Sequence, residues 1–218
     1  MTDDGVPGRP ALTGSTAVQQ YRRVRHILLA LVLAASLPAV SSAQGMTAGD
    51  RQRLLAHLEM TDSWLQSEIK GLSEAQLRFR MKPDSWSITD VVEHLSIAEP
   101  QYWKQLTESM KQPPKTEKLE ATDAAILWYG IDRTNRTTTG EARVPTGKVS
   151  NVREPLDKFL KLRATMREYA AKTTDDLRSR KLLEGNMDVY QWFLMISSHA
   201  QRHILQIREI KEDPKYPS

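Results

Sequence analysis

Two histidines set four positions apart near the end of the chain constrain its fold most. In the stretch QWFLMISSHAQRHILQIREI, residues 191–210, Trp192, Ile196, His199, His203, Gln206 and Ile210 follow one another at steps of 4, 3, 4, 3 and 4. Such spacing draws one seam along an α-helix, and its apolar members turn that seam toward the interior of a bundle. His199 and His203 then face inward one turn apart, with Cβ atoms about 5–6 Å from each other. A buried imidazole nitrogen without a partner forfeits about 1–3 kcal/mol. A divalent ion shared by both rings removes that penalty, at the separation used by H-x-x-x-H metal motifs. Hydrogen bonds to core side chains or buried water are the alternative, and this helix alone leaves both readings open.

A helical period governs the chain from Thr47 onward. Leu54, Leu58, Leu65, Ile69 and Leu72 predict a first helix over roughly Gly49 to Lys70, ended by Gly71. LSEAQL predicts a short helical turn, and Pro83 makes RMKPDSW a loop. Ser87 is a good N-cap, with Asp90 as a shorter substitute for the capping-box Glu, and Ile88, Val91, Val92, Leu95 and Ala98 form the buried stripe of a second helix. Pro100 bends this helix rather than ending it, because QYWKQLTESM continues the pattern. Asp123 caps a shorter helix, AAILWYGIDRTNRT, between two loops. A third long helix covers about Arg153 to Ala171, and the last one about Met187 to Lys211. No strand-like alternation of useful length and no repeat is present. The expected class is all-α: a four-helix bundle with crossover connections and a short extra helix.

The second helix supplies a third imidazole. WSITDVVEHLSIAE places His94 between Val91 and Ala98 at steps of 3 and 4, so it also faces inward. Three neutral imidazoles from two helices hold a metal and leave one or more positions open, which a catalytic site has and a closed structural site lacks.

Together PDSWSITDVVEHLSIAE and DVYQWFLMISSHAQRHILQIREI resemble the DinB-like superfamily, in which a Trp-Ser lead-in, a histidine on the second helix and a C-terminal H-x-x-x-H recur in that order. The resemblance spans nearly all of residues 47–213. It implies a DinB-like four-helix bundle with a three-histidine divalent metal site, and His94, His199 and His203 as the ligands. Nickel or zinc is the implied ion, with manganese or iron also open. Members of that family include metal-dependent thiol transferases, a mycothiol-dependent isomerase and a domain of ergothioneine synthesis, so the implied activity is metal-dependent hydrolysis or thiol/group transfer on a small molecule. The rival reading is a non-catalytic bundle in which an ion, if any, only braces the packing.

The first 43 residues read differently. YRRVRHILLALVLAASLPAVSSAQG has a basic segment (Arg22, Arg23, Arg25), an apolar run from Ile27 to Val40, and small residues at Ser41 and Ala43. This predicts an export signal over residues 1–43, cleavage after Ala43, and a periplasmic or secreted domain of residues 44–218. The apolar run is shorter than the ~20 residues a spanning helix needs, although an uncleaved anchor is the alternative. Residues 1–20, polar and rich in Gly and Pro, read as disordered or as an overlong start. Export departs from the cytosolic thiol transferases and their low-molecular-weight thiols. The chain has no cysteine, which excludes disulfides, a cysteine nucleophile and Cys-ligated zinc. A net charge of +4 without a basic, aromatic-interleaved run gives no nucleic-acid groove. A homodimer is one option for assembly.

Other residues carry weaker readings. His57, beside the Leu54/Leu58 stripe, reads as a polar-edge histidine rather than a ligand. Glu93 points about 100° away from His94 and reads as a surface carboxylate. Asp90 is either a cap or a partner of His94. Gln206 either hydrogen-bonds a ligand imidazole or is simply buried. Trp86, Tyr102, Trp103, Trp128, Tyr190 and Trp192 are pocket or core aromatics. Arg133 and Arg136 are candidates for an anionic substrate. PTGKVS lacks the upstream glycine of a phosphate loop. Ser197 and Ser198 have no evident Asp-His relay.

Overall fold

Caps written in the sequence start most of the helices. The computed structural model describes residues 45–218 except 116, 118, 136 and 137, so the segment 1–43 expected to direct export, His26 within it, and Arg136 lie outside the described residues. Helix α1 (Ala48–Ile69) begins behind Thr47 and α2 (Glu74–Arg78) behind Ser73. Helix α3 (Ile88–Ser109) begins behind Ser87, and α6 (Val189–Lys211) behind Asp188. In each of these four the cap side chain accepts from the third residue's amide, and that residue's side chain accepts from the cap's own amide. Ser87 and Asp90 form such a box, with Ser87 N–H donating to Asp90 Oδ2 at 2.7 Å. Thr122, rather than the expected Asp123, caps α4 (Asp123–Ile131), accepting from the Ala125 amide, while α5 (Arg153–Lys172) lacks a side-chain cap.

Two boundaries differ from the periodicity. The short helix does not continue through DRTNRT. Asp132 is extended, and its carboxylate turns back to accept from the Thr134 amide and hydroxyl at 2.9 and 2.5 Å, an Asx turn that outcompetes another helical turn. The connection after α5 is more than a linker. Leu177 and Leu182 are buried in it, and Lys181 pairs with Asp188 as an isolated antiparallel bridge, the one departure from all-α structure among the described residues. Helix α3 does run through Pro100, as its pattern requires.

The four long helices α1, α3, α5 and α6 form the bundle. Helix α6 lies against α1 and α3, and α5 lies against the same two. So α1 and α3 sit on one diagonal and α5 and α6 on the other, which makes the α1–α3 and α5–α6 connections crossovers. Short α4 packs along α6. Gly130 sets how closely: a Cβ there would meet the Ser198 carbonyl oxygen and Gln201 Oε1, both at 2.9 Å. Arg178 ties three helix starts together. It pairs with Asp50 of α1 at 2.8 Å, Asp123 of α4 at 2.6 Å and the α6 cap Asp188 at 3.5 Å, and it lies 3.7 Å over the Tyr190 ring.

Apolar clusters fill both halves of the bundle, one around Leu54, Leu58, Met166 and Phe193, the other around Leu65, Val91, Leu95, Phe159 and Ile204. The interior also holds an ion pair, Arg163 of α5 with Glu99 of α3, in which both side chains are fully buried. Arg163 Nε donates to Glu99 Oε2 at 2.6 Å, and its other nitrogens reach Thr61 Oγ1 and the Ile196 carbonyl. Asp62 of α1 pairs with Arg163 at 3.7 Å and with Arg167. No helix among the described residues is long and apolar enough to cross a membrane.

Removing one member of a buried pair strands the other charge, whereas replacing both by apolar groups is often neutral. Glu99→Ala is therefore expected to lose about 3–5 kcal/mol in urea unfolding, and Glu99→Leu with Arg163→Met to recover most of it. Equal losses from the single and double replacements would contradict this.

Candidate metal centre

Helices α3 and α6 are neighbours, and their three histidines meet where they touch. The His94 and His203 Nε2 atoms lie 3.3 and 3.1 Å from His199 Nε2, and one ligand nitrogen from each ring falls within 4.8 Å of the others. His94 is 1 % exposed, His199 7 %, and His203 is half-buried. The seam of α6 is thus one covered face among several. With α1, α3 and α4 all against it, α6 also buries Leu194, Ser197, Ala200 and Arg202, while Trp192, His203 and Gln206 stay partly open.

The hydrogen bonds on the far side of two rings fix their protons. His94 Nδ1 is 2.7 Å from the Arg143 backbone carbonyl, which can only accept, so Nδ1 carries the hydrogen and Nε2 is bare. His203 Nδ1 likewise donates to Gln206 Oε1 at 2.9 Å. Two bare lone pairs therefore point at His199 Nε2. One proton on His199 can satisfy one of them and leaves the other facing a donor already used. A divalent cation satisfies all three. At the usual metal–imidazole distance of about 2.0–2.1 Å, these two separations correspond to angles of roughly 95–110° at a shared ion, the range from octahedral to tetrahedral values. His199 Nδ1 is buried without a partner, and the ring is held instead by the edge of Tyr102, 5.2 Å between centroids. Trp86 covers the other two, 4.8 Å from the His94 ring and stacked 6.0 Å from the His203 ring.

Burial disfavours the charged form of each ring. It pulls His203 down to about 3, helped by the charge of His94 and opposed by the Gln206 hydrogen bond. His199 lies well below its ordinary value through burial first and its two histidine neighbours next. His94 is lowered by burial, against the pull of the Arg143 carbonyl. All three are neutral near pH 7, the form that ligates a metal.

A cavity of about 560 Å³ opens directly on this trio. Trp86 and Tyr102 line it with the histidines, as do Tyr129, Arg133, Arg143, Arg202, Gln206 and Glu209. Arg133 is committed to Glu209 by two parallel 2.9 Å bonds. Arg143, Arg202, Thr138, Thr139 and Asp84 also border the cavity and were not distinguished by the sequence. All but Arg202 sit in loops or the 3₁₀ turn (Glu141–Arg143), where no periodicity marks a direction.

The remaining candidates fall elsewhere. Glu93 is a correction: it is 5 % exposed, and accepts from the Thr146 amide and hydroxyl and the Gly147 amide at 3.1, 2.6 and 3.2 Å. The 144–150 loop folds over the helix at that point, which a helical wheel does not show. Asp90 is a cap, paired with Arg80 at 2.7 Å, and does not reach His94. His57 lies outside the trio, 2.6 Å from Ser197 Oγ and 3.1 Å from Gln201 Oε1. This is no nucleophilic relay: its third member is an amide, and Ser197 is 0 % exposed. Trp103 and Tyr190 pack in the core, Trp192 donates to the Tyr102 carbonyl at 3.0 Å, and Trp128 is exposed.

Comparison with known proteins shows the family and the fold. Residues 50–207 match the family model of the DinB superfamily. The Bacillus subtilis (strain 168) protein YuaE, itself uncharacterised, is 27% identical over 155 residues, 69% of this chain and 91% of that protein. Among solved structures the fold is similar to YfiT from Bacillus subtilis, described as a probable metal-dependent hydrolase with an unusual four-helix bundle topology. That likeness has a TM-score of 0.54 at 12% identity and covers 80% of this chain and 93% of YfiT, so it shows the shared fold.

Neutral burial gives the metal-stripped protein a pH signature. Below about pH 6.5 the unfolded chain protonates its histidines while the folded rings stay neutral, so stability falls as the pH falls. Each such ring contributes a slope of about 1.4 kcal/mol per pH unit, continuing toward about 3 for His203. Urea unfolding between pH 6.5 and 5 is expected to show this slope, and His203→Asn to make it shallower. A slope unchanged in the variant would mean that His203 titrates normally.

Proposed function

Because the chain belongs to the DinB superfamily, we propose that it is a divalent-metal-dependent enzyme, a hydrolase in the first instance, with His94, His199 and His203 as the metal ligands. The observation that carries the reading is the convergence of three Nε2 atoms, two of them stripped of hydrogen by the bonds their Nδ1 atoms make. When bound, a divalent ion supplies Lewis acidity toward a water, thiol or carbonyl group in the cavity. Nickel or zinc suits a set of neutral imidazoles, and manganese or iron is compatible with it.

The protein's own groups do the rest. The Arg143 carbonyl and Gln206 hold two rings in the ligating tautomer. Trp86 walls one side and limits the directions from which a substrate reaches the centre. The cavity admits a small molecule rather than a polymer segment, within the ~300–1,000 Å³ of ordinary ligand sites. Thiol or other group transfer is the same activation with a different nucleophile. Opening of all three histidines onto a cavity supports catalysis over a bracing role, which calls for a fourth protein ligand or a dry, filled core. The basic and apolar segments ahead of Gln44 support an exported enzyme.

Elemental analysis of the chain purified without a polyhistidine tag is expected to find about one divalent ion per molecule, and little in the His199→Ala/His203→Ala double variant. Hydrolysis of small ester or amide substrates should follow the metal content. Unchanged metal retention in the double variant would refute the ligand assignment. Fractionation of the native host with N-terminal sequencing tests export, with a first residue of Gln44 expected.

A further inference from the structure

We propose that the cavity above the histidines recognises a small organic acid, with the Arg143 guanidinium as the seat of its carboxylate. The proposal rests on the reading of that cavity as the substrate site.

The three cavity arginines are in different states. Arg133 is neutralised by Glu209. Arg202 spends its donors on the backbone carbonyls of Tyr129, Asp132 and Asn135, and so holds the loop after α4. The Arg143 side chain makes no hydrogen bond or ion pair with any described residue, and its Nε is shut off from solvent without an acceptor. It rests against the Tyr102 ring, whose centroid is 5.5 Å from the guanidinium carbon, and lies beside Gly140. A half-buried cation with an idle donor is unfavourable in a low-dielectric site. An incoming carboxylate supplies the missing charge and accepts two parallel bonds from the planar fork.

The position suits a substrate group. Arg143 is the residue whose backbone carbonyl accepts from His94, and Tyr102 bridges its guanidinium to the His199 ring. The guanidinium thus lies no farther from His199 than those two ring contacts laid end to end, the span of a small acid whose other end reaches the histidines. The charge count favours a monoanion. One idle guanidinium is joined by the neutral hydroxyls of Tyr102, Tyr129, Thr138 and Thr139, and Asp84 borders the same cavity. A phosphate dianion calls for more converging donors.

Benzoate and benzamide, alike in shape and different in charge, test this by calorimetric titration of the metal-free full chain. Wild type is expected to bind benzoate roughly tenfold or more tightly than benzamide, and Arg143→Gln to abolish the difference. Arg143→Lys should keep part of it, since an ammonium supplies the charge without the fork. Equal metal content and melting temperature across the three proteins would show that the histidine centre is intact; if the Gln variant does not fold, the loss in the Lys variant decides. Equal benzoate affinity in wild type and the variants would overturn the proposal. So would tighter binding of inorganic phosphate than of benzoate, or benzoate binding that requires metal and ignores Arg143. A failure of metal binding would remove the enzyme reading and leave this titration standing, because no metal takes part in it.

Discussion

Three imidazoles facing one another across the contact of two helices are the constraint from which the rest follows. Neutral rings with bare nitrogens turned toward a common point repel unless a cation sits among them. A bundle has many cheaper ways to fill that space, and the same two helices use them: their Leu95, Ala98, Ile196 and Ala200 are fully buried with no side-chain polar atom to satisfy. Other polar side chains of the interior find direct partners. Arg163 has carboxylate, hydroxyl and carbonyl partners in the bundle interior, and His57 uses both ring nitrogens.

Topology explains why the trio sits beside a cavity. Helices α3 and α5 are neighbours and need only a short turn between them, yet residues 110–152 separate them. That segment carries α4 and the 3₁₀ turn, and it supplies Tyr129, Arg133, Thr138, Thr139 and Arg143 to the cavity wall. The diagonal step from α1 to α3 does need length, and its excess supplies Met81, Asp84, Ser85 and Trp86. The histidines stand on helices while the long connections shape what reaches them, the usual division between scaffold and specificity.

This division also decides what was legible in the sequence. Ser87 with Asp90, the α3 stripe and the α6 seam are local patterns with fixed periods, so the long helices and the three inward histidines follow from spacing alone. The early end of α4 turns on Asp132 folding back on Thr134, a competition between two local bonding schemes that periodicity does not weigh. Glu93 reads as a surface group because the loop that covers it lies more than fifty residues away. Arg143 carries no pattern at all: its proposed role comes from being the cavity arginine whose side chain has no hydrogen bond or ion pair among the described residues, a property of the whole fold. Arg133, equally visible in the sequence, is occupied by Glu209.

The placement of two unpaired polar groups on one cavity wall fits a working site. Two cavity residues, His199 and Arg143, each bury a ring or guanidinium nitrogen that finds no partner. They flank one aromatic ring, Tyr102, which touches both. Arg180 Nε, Ser198 Oγ and the Tyr216 hydroxyl are also buried without a hydrogen bond among the described residues, but none of those residues lines the cavity. Here idle donors and bare lone pairs converge on one open volume and have opposite needs: the histidine nitrogens want a cation and the guanidinium wants an anion. The proposed arrangement meets both demands: a metal ion on the histidines with an acidic molecule lying between it and the arginine.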